Sequence, residues 1–241
     1  MVSGRTRVNK SDPENRSCDL PKRLVWEVYR SVRKNKGAAG VDGCSIEEFE
    51  ADLRNNLYKI WVRMSSGPCF PPPVRAVEIP KSHGGGTRIL GIPTVAGRIA
   101  QIVVALQLLP RTESLFHPDS YGYRPGRSQL MAVKKCRERC WRKDWVLDLD
   151  VQKFFNPVDH DLVVNAVEAS TDQKWVVLSV KRWLTAPMQM PDGRVAERNR
   201  GTPQGSLCAA AHKPPYEQRW VMRSARCLSL VGAVGAVGGC A

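Results

Sequence analysis

Two carboxylates lie on one face of an otherwise apolar segment near the middle of the chain. Residues 145–150 alternate in polarity, so a strand here would place Asp148 and Asp150 on the same face. Burying paired carboxylates is costly unless a cation or strong donors lie against them. Magnesium is the usual partner of such carboxylates where the substrate carries phosphates. The segment predicts a strand that delivers acids to a phosphate-handling site; a sheet edge with its acids in water is the alternative.

A basic segment precedes this strand and carries aromatic side chains. Residues 121–143 contain eight basic residues and a single acid, Glu138. Arginines interleaved with Tyr121 and Tyr123 suit phosphate contacts combined with base stacking. A solvated basic helix face is the alternative reading of the same composition.

Three segments are rich in glycine: the basic loop at 34–43, the hairpin tip at 81–87 and the segment at 201–205, in which Gln204 projects a single amide side chain. The hairpin tip could approach a ligand closely or could simply be floppy, and its glycines do not discriminate between the two. Glycine allows backbone conformations and close contacts that other residues do not. The last segment is suited to lie against a flat ligand.

Composition supports a nucleic-acid partner. The 241-residue chain carries 37 basic and 23 acidic residues, a formal net charge of +14. Such an excess favours a polyanion, because each neutralised phosphate releases condensed counterions.

Eight cysteines show no C-x-x-C pair or zinc spacing, and Cys136 and Cys140 are predicted as buried thiols on one helical face. The sequence shows no secretory signal and no apolar run of membrane-spanning length, so a cytoplasmic location without a membrane partner is expected.

The elements that must position these residues are mostly helical. Asp19 is predicted to cap a helix that ends near Lys34, and Ser45 with Glu48 forms a capping-box signature. Strand-like segments at 74–80 and 88–92 predict a hairpin. Further helices are predicted at 95–109 (stopped by Pro110), after the cap Ser128, at 161–168 and at 173–184, with a second hairpin turning at 191–193. This pattern predicts an α+β fold in which helices outnumber strands.

Taken together, these segments resemble the reverse transcriptases and maturases encoded by bacterial group II introns. The matching segments are residues 36–43, 78–81 with 87–94, 120–128, 148–160 and 201–205, which occur in the family's order at about its spacing. The resemblance covers roughly residues 20–206. It implies a right-hand polymerase architecture with fingers and an incomplete palm.

The resemblance implies a role for several side chains. Asp150 matches the first catalytic aspartate, which binds the Mg²⁺ ions of a two-metal phosphoryl transfer, and the carbonyl of Val151 would be a further ligand. Phe155 matches the aromatic gate under the sugar. Lys81 and Arg88 match the cations that clamp the incoming deoxynucleoside triphosphate, and Gln204 matches the glutamine that lies against the nascent base pair.

RNA contacts are expected from the basic loop and the basic–aromatic segment. The candidates are Lys36, Tyr121, Tyr123, Arg124, Arg127, Lys134 and Lys135. The expected partners are intron RNA, or an RNA template with a DNA primer. Binding of this kind should weaken steeply with salt.

The resemblance ends abruptly after residue 206, where Ser206 stands in place of a family glycine; Asn156 likewise replaces a family aspartate. Four segments are expected: 1–18 as a flexible N-terminus, 19–144 as fingers, 145–206 as partial palm and 207–241 as a poorly ordered tail. The 241 residues contain no Tyr-Ala-Asp-Asp palm strand. We therefore expect a truncated reverse transcriptase that is inactive by itself. A non-catalytic RNA-binding fragment that assists intron RNA, or a degenerate remnant, is the alternative.

Overall fold

The structure is a computed structural model that describes residues 20–67, 70–80, 86–122, 124–147 and 157–203. The described helices are α1 (Lys22–Lys34), α2 (Ile46–Ala51), α3 (Leu53–Ser66), α4 (Val95–Thr112), α5 (Gln129–Cys140), α6 (His160–Glu168) and α7 (Lys174–Thr185). The strands are β1 (Val74–Pro80), β2 (Thr87–Ile92), β3 (Met188–Gln189) and β4 (Val195–Ala196). The predicted segments 1–18 and 207–241 lie outside the described residues.

A small mixed sheet joins the two predicted hairpins. Its strand order is β2-β1-β3-β4. β1 and β2 are antiparallel, with Arg75 opposite Ile92 and Pro80 opposite Thr87. β1 pairs with β3 in parallel and β3 pairs with β4 antiparallel. Both hairpins and the helix-rich α+β class are therefore confirmed.

Helix α4 lies at the centre of the core. Its Ile99 and Val103 are fully buried, and it packs against α1 and α3. α1 contributes Val25, Val28 and Val32 at helical spacing. α6 and α7 pack on each other and join the same cluster through residues such as Val163, Val176 and Val180. One apolar core thus supports the hairpin and the segments around it.

Local sequence signals fix most helix starts. Ser45 Oγ accepts from the Glu48 amide at 3.1 Å, and a Glu48 carboxylate oxygen accepts from the Ser45 amide at 2.8 Å. This is the predicted capping box, which satisfies two donors that the first helical turn leaves open. Ser128 Oγ likewise accepts from the Met131 amide at 3.3 Å. Both predicted caps are confirmed.

One predicted helix start and one predicted helix end are wrong. α1 begins after Pro21, which occupies the N-cap position without a side-chain cap, so the helix start does not use Asp19 in that position. α4 continues through Pro110 to Thr112. Proline removes the hydrogen bond of its own amide but does not prevent the following residues from continuing the helix. The buried Thr112 hydroxyl bonds the Leu108 carbonyl at 3.1 Å, and burial of Leu108 holds the last turn in place.

The predicted strand at 145–150 is wrong over the part that the structure describes. Residues 145–147 have no strand structure, and Trp145 is 89% exposed. Alternation alone cannot create a strand, which needs a neighbour to pair with. Residues 145–147 pair with no strand among the described residues. Asp148 and Asp150 lie outside the described ranges.

The burial predicted for Cys136 and Cys140 is also wrong. The two thiols share one face of α5, as their spacing predicts, with their Sγ atoms 3.9 Å apart, but both residues are exposed. α5 has no buried residue along its length.

No helix within the described ranges is long and apolar enough to cross a membrane.

Replacing Ser45 with alanine should destabilise the protein. The variant removes the acceptor for the Glu48 amide, and loss of such a cap costs about 1 kcal/mol. Urea unfolding of Ser45→Ala measures the loss. Ser31→Ala, at an exposed position within α1, is the control and should change the free energy of unfolding by less than about 0.5 kcal/mol. Equal effects of the two changes would contradict the capping role.

Candidate functional site

The β1–β2 hairpin presents a basic side chain at its far end. Arg88 is exposed on β2 and lies opposite Ile79 in the register. Lys81 is one of residues 81–85, which lie outside the described residues. The predicted clamping of a triphosphate by Lys81 and Arg88 therefore stays a prediction.

Segment 201–203 packs on this hairpin at a distance that only glycine permits. A Cβ atom at Gly91 would stand 2.4 Å from Pro203 Cβ and 2.9 Å from Val74 Cγ1. Gly91, Pro203 and Val74 are all buried. The missing side chain at Gly91 is thus what lets segment 201–203 reach the sheet.

The same segment is bound to the start of α6. The Gly201 amide donates to the Val158 carbonyl at 2.7 Å, and His160 Nε2 donates to the Gly201 carbonyl at 2.9 Å. Asp159 and Arg200 form an antiparallel bridge. Segment 157–160 directly follows Phe155 and Asn156, whereas Gln204 directly follows Pro203. The hairpin therefore meets segment 201–203, which precedes Gln204, and segment 201–203 in turn meets segment 157–160, which follows Phe155.

Two arginines fix the glycine-rich loop near this junction. Arg98 Nη2 donates to the Ala38 carbonyl at 2.9 Å, and Arg75 Nη1 donates to the Ala39 carbonyl at 3.2 Å. Burial lowers the pKa of the Arg98 guanidinium. At Gly40, a Cβ atom would stand 2.6 Å from the Thr94 Cα. Neither arginine was predicted as an anchor of this loop, because the bonded residues lie 36 and 60 positions apart in the chain and no local pattern indicates such a contact.

Arg124 lies inside the protein and does not face a phosphate. Its Nε and Nη2 donate to Glu113 Oε1 at 3.1 and 2.6 Å, and its Nη1 donates to the carbonyls of His117 and Ser120 at 2.8 and 2.9 Å. The guanidinium also lies over the Phe116 ring at 4.8 Å. With only 5% of its side chain exposed, Arg124 is a cross-link of the 113–124 loop. The predicted RNA contact is not compatible with this arrangement.

The other predicted RNA-binding residues differ in what they contact. Arg127 lies over the Tyr121 ring, with its guanidinium carbon 5.6 Å from the centroid. Lys135 pairs with Glu138 at 3.6 Å, whereas Lys36 and Lys134 are exposed. Tyr123 lies outside the described residues. Cationic side chains therefore remain at the surface on both the basic loop and α5.

The predicted metal ligands and two of the predicted substrate contacts fall between and after the described ranges. Asp150, Val151, Phe155 and Gln204 all lie outside them. Within the described ranges, no group of three or more His, Cys, Asp or Glu side chains could hold a metal ion. The roles predicted for these four residues stay predictions.

Comparison with known proteins decides the family. The profile described as "Reverse transcriptase (RNA-dependent DNA polymerase)" matches residues 79–212, a range that includes β2, segment 157–160 and segment 201–203. The chain belongs to the reverse transcriptase family. The predicted resemblance is thereby confirmed. Members of this family generally use a divalent metal.

Relatives of this chain include intron-encoded proteins. The chain is 34% identical over 192 residues to Protein YkfC of Escherichia coli K12, covering 75% of this chain and 49% of YkfC. It is 25% identical over 184 residues to the group II intron-encoded protein LtrA of Lactococcus lactis, covering 76% of this chain and 30% of LtrA. It is also 25% identical over 195 residues to the COX1/OXI3 intron 2 protein of Saccharomyces cerevisiae, covering 77% and 21%. The chain thus spans at most about half the length of these relatives.

Replacing Gly91 with alanine should separate segment 201–203 from the hairpin. The added methyl group meets Pro203 and Val74 at distances that force a shift, and such overpacking costs about 1–3 kcal/mol. Urea unfolding of Gly91→Ala in the wild-type and Pro203→Gly backgrounds measures the coupling. The loss should be smaller when Pro203 is absent, because its Cβ is the nearest atom. Equal losses in both backgrounds would show that the contact with Pro203 is unimportant.

Arg124→Gln should destabilise the fold at neutral pH by about 2 kcal/mol or more, because hydrogen bonds from a charged donor are lost inside the protein. Arg127→Gln is the control and should have a small effect. The hydrogen bond from Arg124 holds the pKa of Glu113 below its usual range. The resulting stabilisation is fully present above the ordinary carboxyl pKa and is lost as the pH falls through the lowered one. The difference between wild type and Arg124→Gln in urea unfolding should shrink over that acidic range; a difference independent of pH would contradict the pair.

Proposed function

We propose that this chain forms the fingers and part of the palm of an RNA-directed DNA polymerase from a group II intron retroelement. The observation that carries the proposal is the convergence of β2, segment 157–160 and segment 201–203 at one junction. All three lie in the region that matches the reverse transcriptase family. The substrates would be an RNA template with a DNA primer and deoxynucleoside triphosphates.

The proposed metal is Mg²⁺, held by the Asp150 carboxylate and the Val151 carbonyl. Both are hard oxygen donors of the kind that Mg²⁺ prefers. When bound, the metal would stabilise negative charge on the transferring phosphoryl group. The remaining ligands of a two-metal site are not assigned to residues of this chain.

We propose that the other substrate contacts also lie at this junction. Exposed Arg88 would bind the triphosphate from the hairpin, together with Lys81. Gln204, one residue beyond the hairpin contact of Pro203, would lie against the nascent base pair. Phe155, two residues before the described segment 157–160, would lie under the sugar. Packing of their flanking segments on the hairpin would orient these groups, and positioning supplies much of the rate enhancement in phosphoryl transfer.

A second candidate function is RNA binding without chemistry. It is favoured by the exposed cations of the basic loop and α5, among them Lys36 and Lys134. This function would need neither the metal ligands nor the hairpin cations. The two candidates therefore differ in their dependence on Asp150.

A chimera tests the polymerase proposal. Residues 20–203 with the adjoining matched segment, through residue 212, would replace the corresponding part of LtrA. The folded chimera should extend a primer on an RNA template with Mg²⁺, and Asp150→Ala should reduce extension below detection. Asp172→Asn is the matched control, because the Asp172 side chain is 96% exposed and pairs with Arg111 at the surface; it should retain full activity.

The outcomes separate the two candidates. Extension that survives Asp150→Ala would overturn the catalytic assignment. A folded chimera that binds primed RNA and never extends it would favour RNA binding without chemistry. The 241-residue polypeptide itself should bind RNA without extending primers, because one assigned carboxylate supplies too few ligands for two metal ions.

A further inference from the structure

Helix α5 has an outer face that nothing in the described part of the chain covers. Its inner side is marked by the partly buried Ala132, Lys135 and Arg139, and Arg139 pairs with Asp119 at 2.5 Å. The opposite side carries residues spaced three or four apart, which share one helical face. We call this face the outer strip: Leu130, Val133, Lys134, Arg137 and Trp141.

The outer strip combines exposed apolar surface with a pre-oriented aromatic ring. Leu130 is 81% exposed, Val133 is 55% exposed and Trp141 is 74% exposed. The Arg137 guanidinium carbon lies 4.5 Å from the Trp141 ring centroid. Arginine on one face of the ring fixes its orientation. With so much of the side chain exposed, the other face of the indole is open to a planar ligand.

The charge around the strip is positive and mostly unneutralised. Residues 129–144 contain six basic residues and two acids. Glu138 pairs with Lys135 off the strip. Lys134, Arg137, Arg142 and Lys143 form no ion pair with another described residue. A polyanion complements this surface better than a typical protein surface does.

We propose that the outer strip binds single-stranded RNA, with a base stacked on Trp141 and phosphates on Lys134 and Arg137. Base–aromatic stacking needs an unpaired base with an accessible face, and a duplex hides its base faces in the helical stack. Leu130 and Val133 extend the apolar surface along the strip for further bases. This inference rests on the proposed function and names the form of RNA that this surface recognises.

Fluorescence anisotropy of the full chain with a labelled single-stranded RNA, and with a duplex of the same strand length, tests the stacking. Trp141→Ala should weaken single-strand binding about fivefold or more. Trp141→Phe should retain most of the affinity, because an aromatic ring remains. Duplex binding should change little in both variants. Trp26→Ala, which removes another exposed tryptophan on α1 (47% exposed), is the matched control and should leave single-strand binding unchanged.

Salt titration tests the phosphate contacts. Removing both charges with Lys134→Gln and Arg137→Gln should reduce the slope of log affinity against log salt by about 1.4, since each single-strand phosphate contact contributes about 0.7. Lys59→Gln with Arg54→Gln, two exposed changes on α3, should leave the slope unchanged. Arg137→Lys should keep the slope and weaken binding, because it retains the charge and loses the planar contact with the ring.

Each other result overturns the inference. Wild-type binding that is unchanged by Trp141→Ala, or an equal loss for single strand and duplex, would reject stacking and leave the polymerase proposal to the chimera. Self-association that Leu130→Ser abolishes in sedimentation, without loss of RNA affinity, would make the strip a protein interface. No RNA binding by the wild type at low salt would reject both this inference and the RNA-binding candidate, whereas primer extension by the chimera remains a separate test.

Discussion

Burial of α4 is the constraint on which the candidate site depends. Ile99 and Val103 are fully buried, and complete burial of each such side chain contributes roughly 1.5–3 kcal/mol. Only two residues separate the end of β2 from the start of this helix, where Thr94 Oγ1 accepts from the Gly97 amide at 3.0 Å. A connection this short leaves the hairpin little freedom relative to the core. The apolar centre therefore sets the direction in which the hairpin presents Arg88.

Two glycines allow other chain segments to pack against the hairpin and the start of α4, at distances that a side chain would prevent. On one side of the α4 start, Gly40 brings the basic loop against the backbone of Thr94; on the hairpin itself, Gly91 admits Pro203. Both contacts depend on a missing Cβ atom, but different hydrogen bonds hold the two segments in place. Arginine hydrogen bonds hold the loop, whereas the backbone hydrogen bond of Gly201 to Val158 holds the other segment. The junction is therefore built from close contacts that two glycines permit and that arginine and backbone hydrogen bonds hold in place.

Features with local causes could be predicted from the sequence. The capping box at Ser45 and the two strands of the first hairpin depend on residues that are close in the chain, so their types and spacing suffice. Burial on α5 could not be predicted, because the four-residue spacing of Cys136 and Cys140 places them on one face without saying what covers it. The alternating polarity at 145–147 wrongly predicted a strand for a similar reason, because it does not say which neighbouring strand would pair with these residues. Convergence of the motif segments depends on tertiary contacts such as Gly91 with Pro203, and only the family resemblance indicated it.

The arginines show why net charge alone locates no binding surface. Arg124 binds a carboxylate and two carbonyls, and Arg198 binds the carbonyls of Ala186 and Trp183 at 2.8 and 2.9 Å. One guanidinium with five donors can join several chain segments in this way, which a lysine ammonium does less well. Such residues contribute to the +14 charge while several of their donors already bind groups of the protein itself. The cations available to a polyanion are those that remain exposed without an ion pair, and on α5 these lie beside an open aromatic ring.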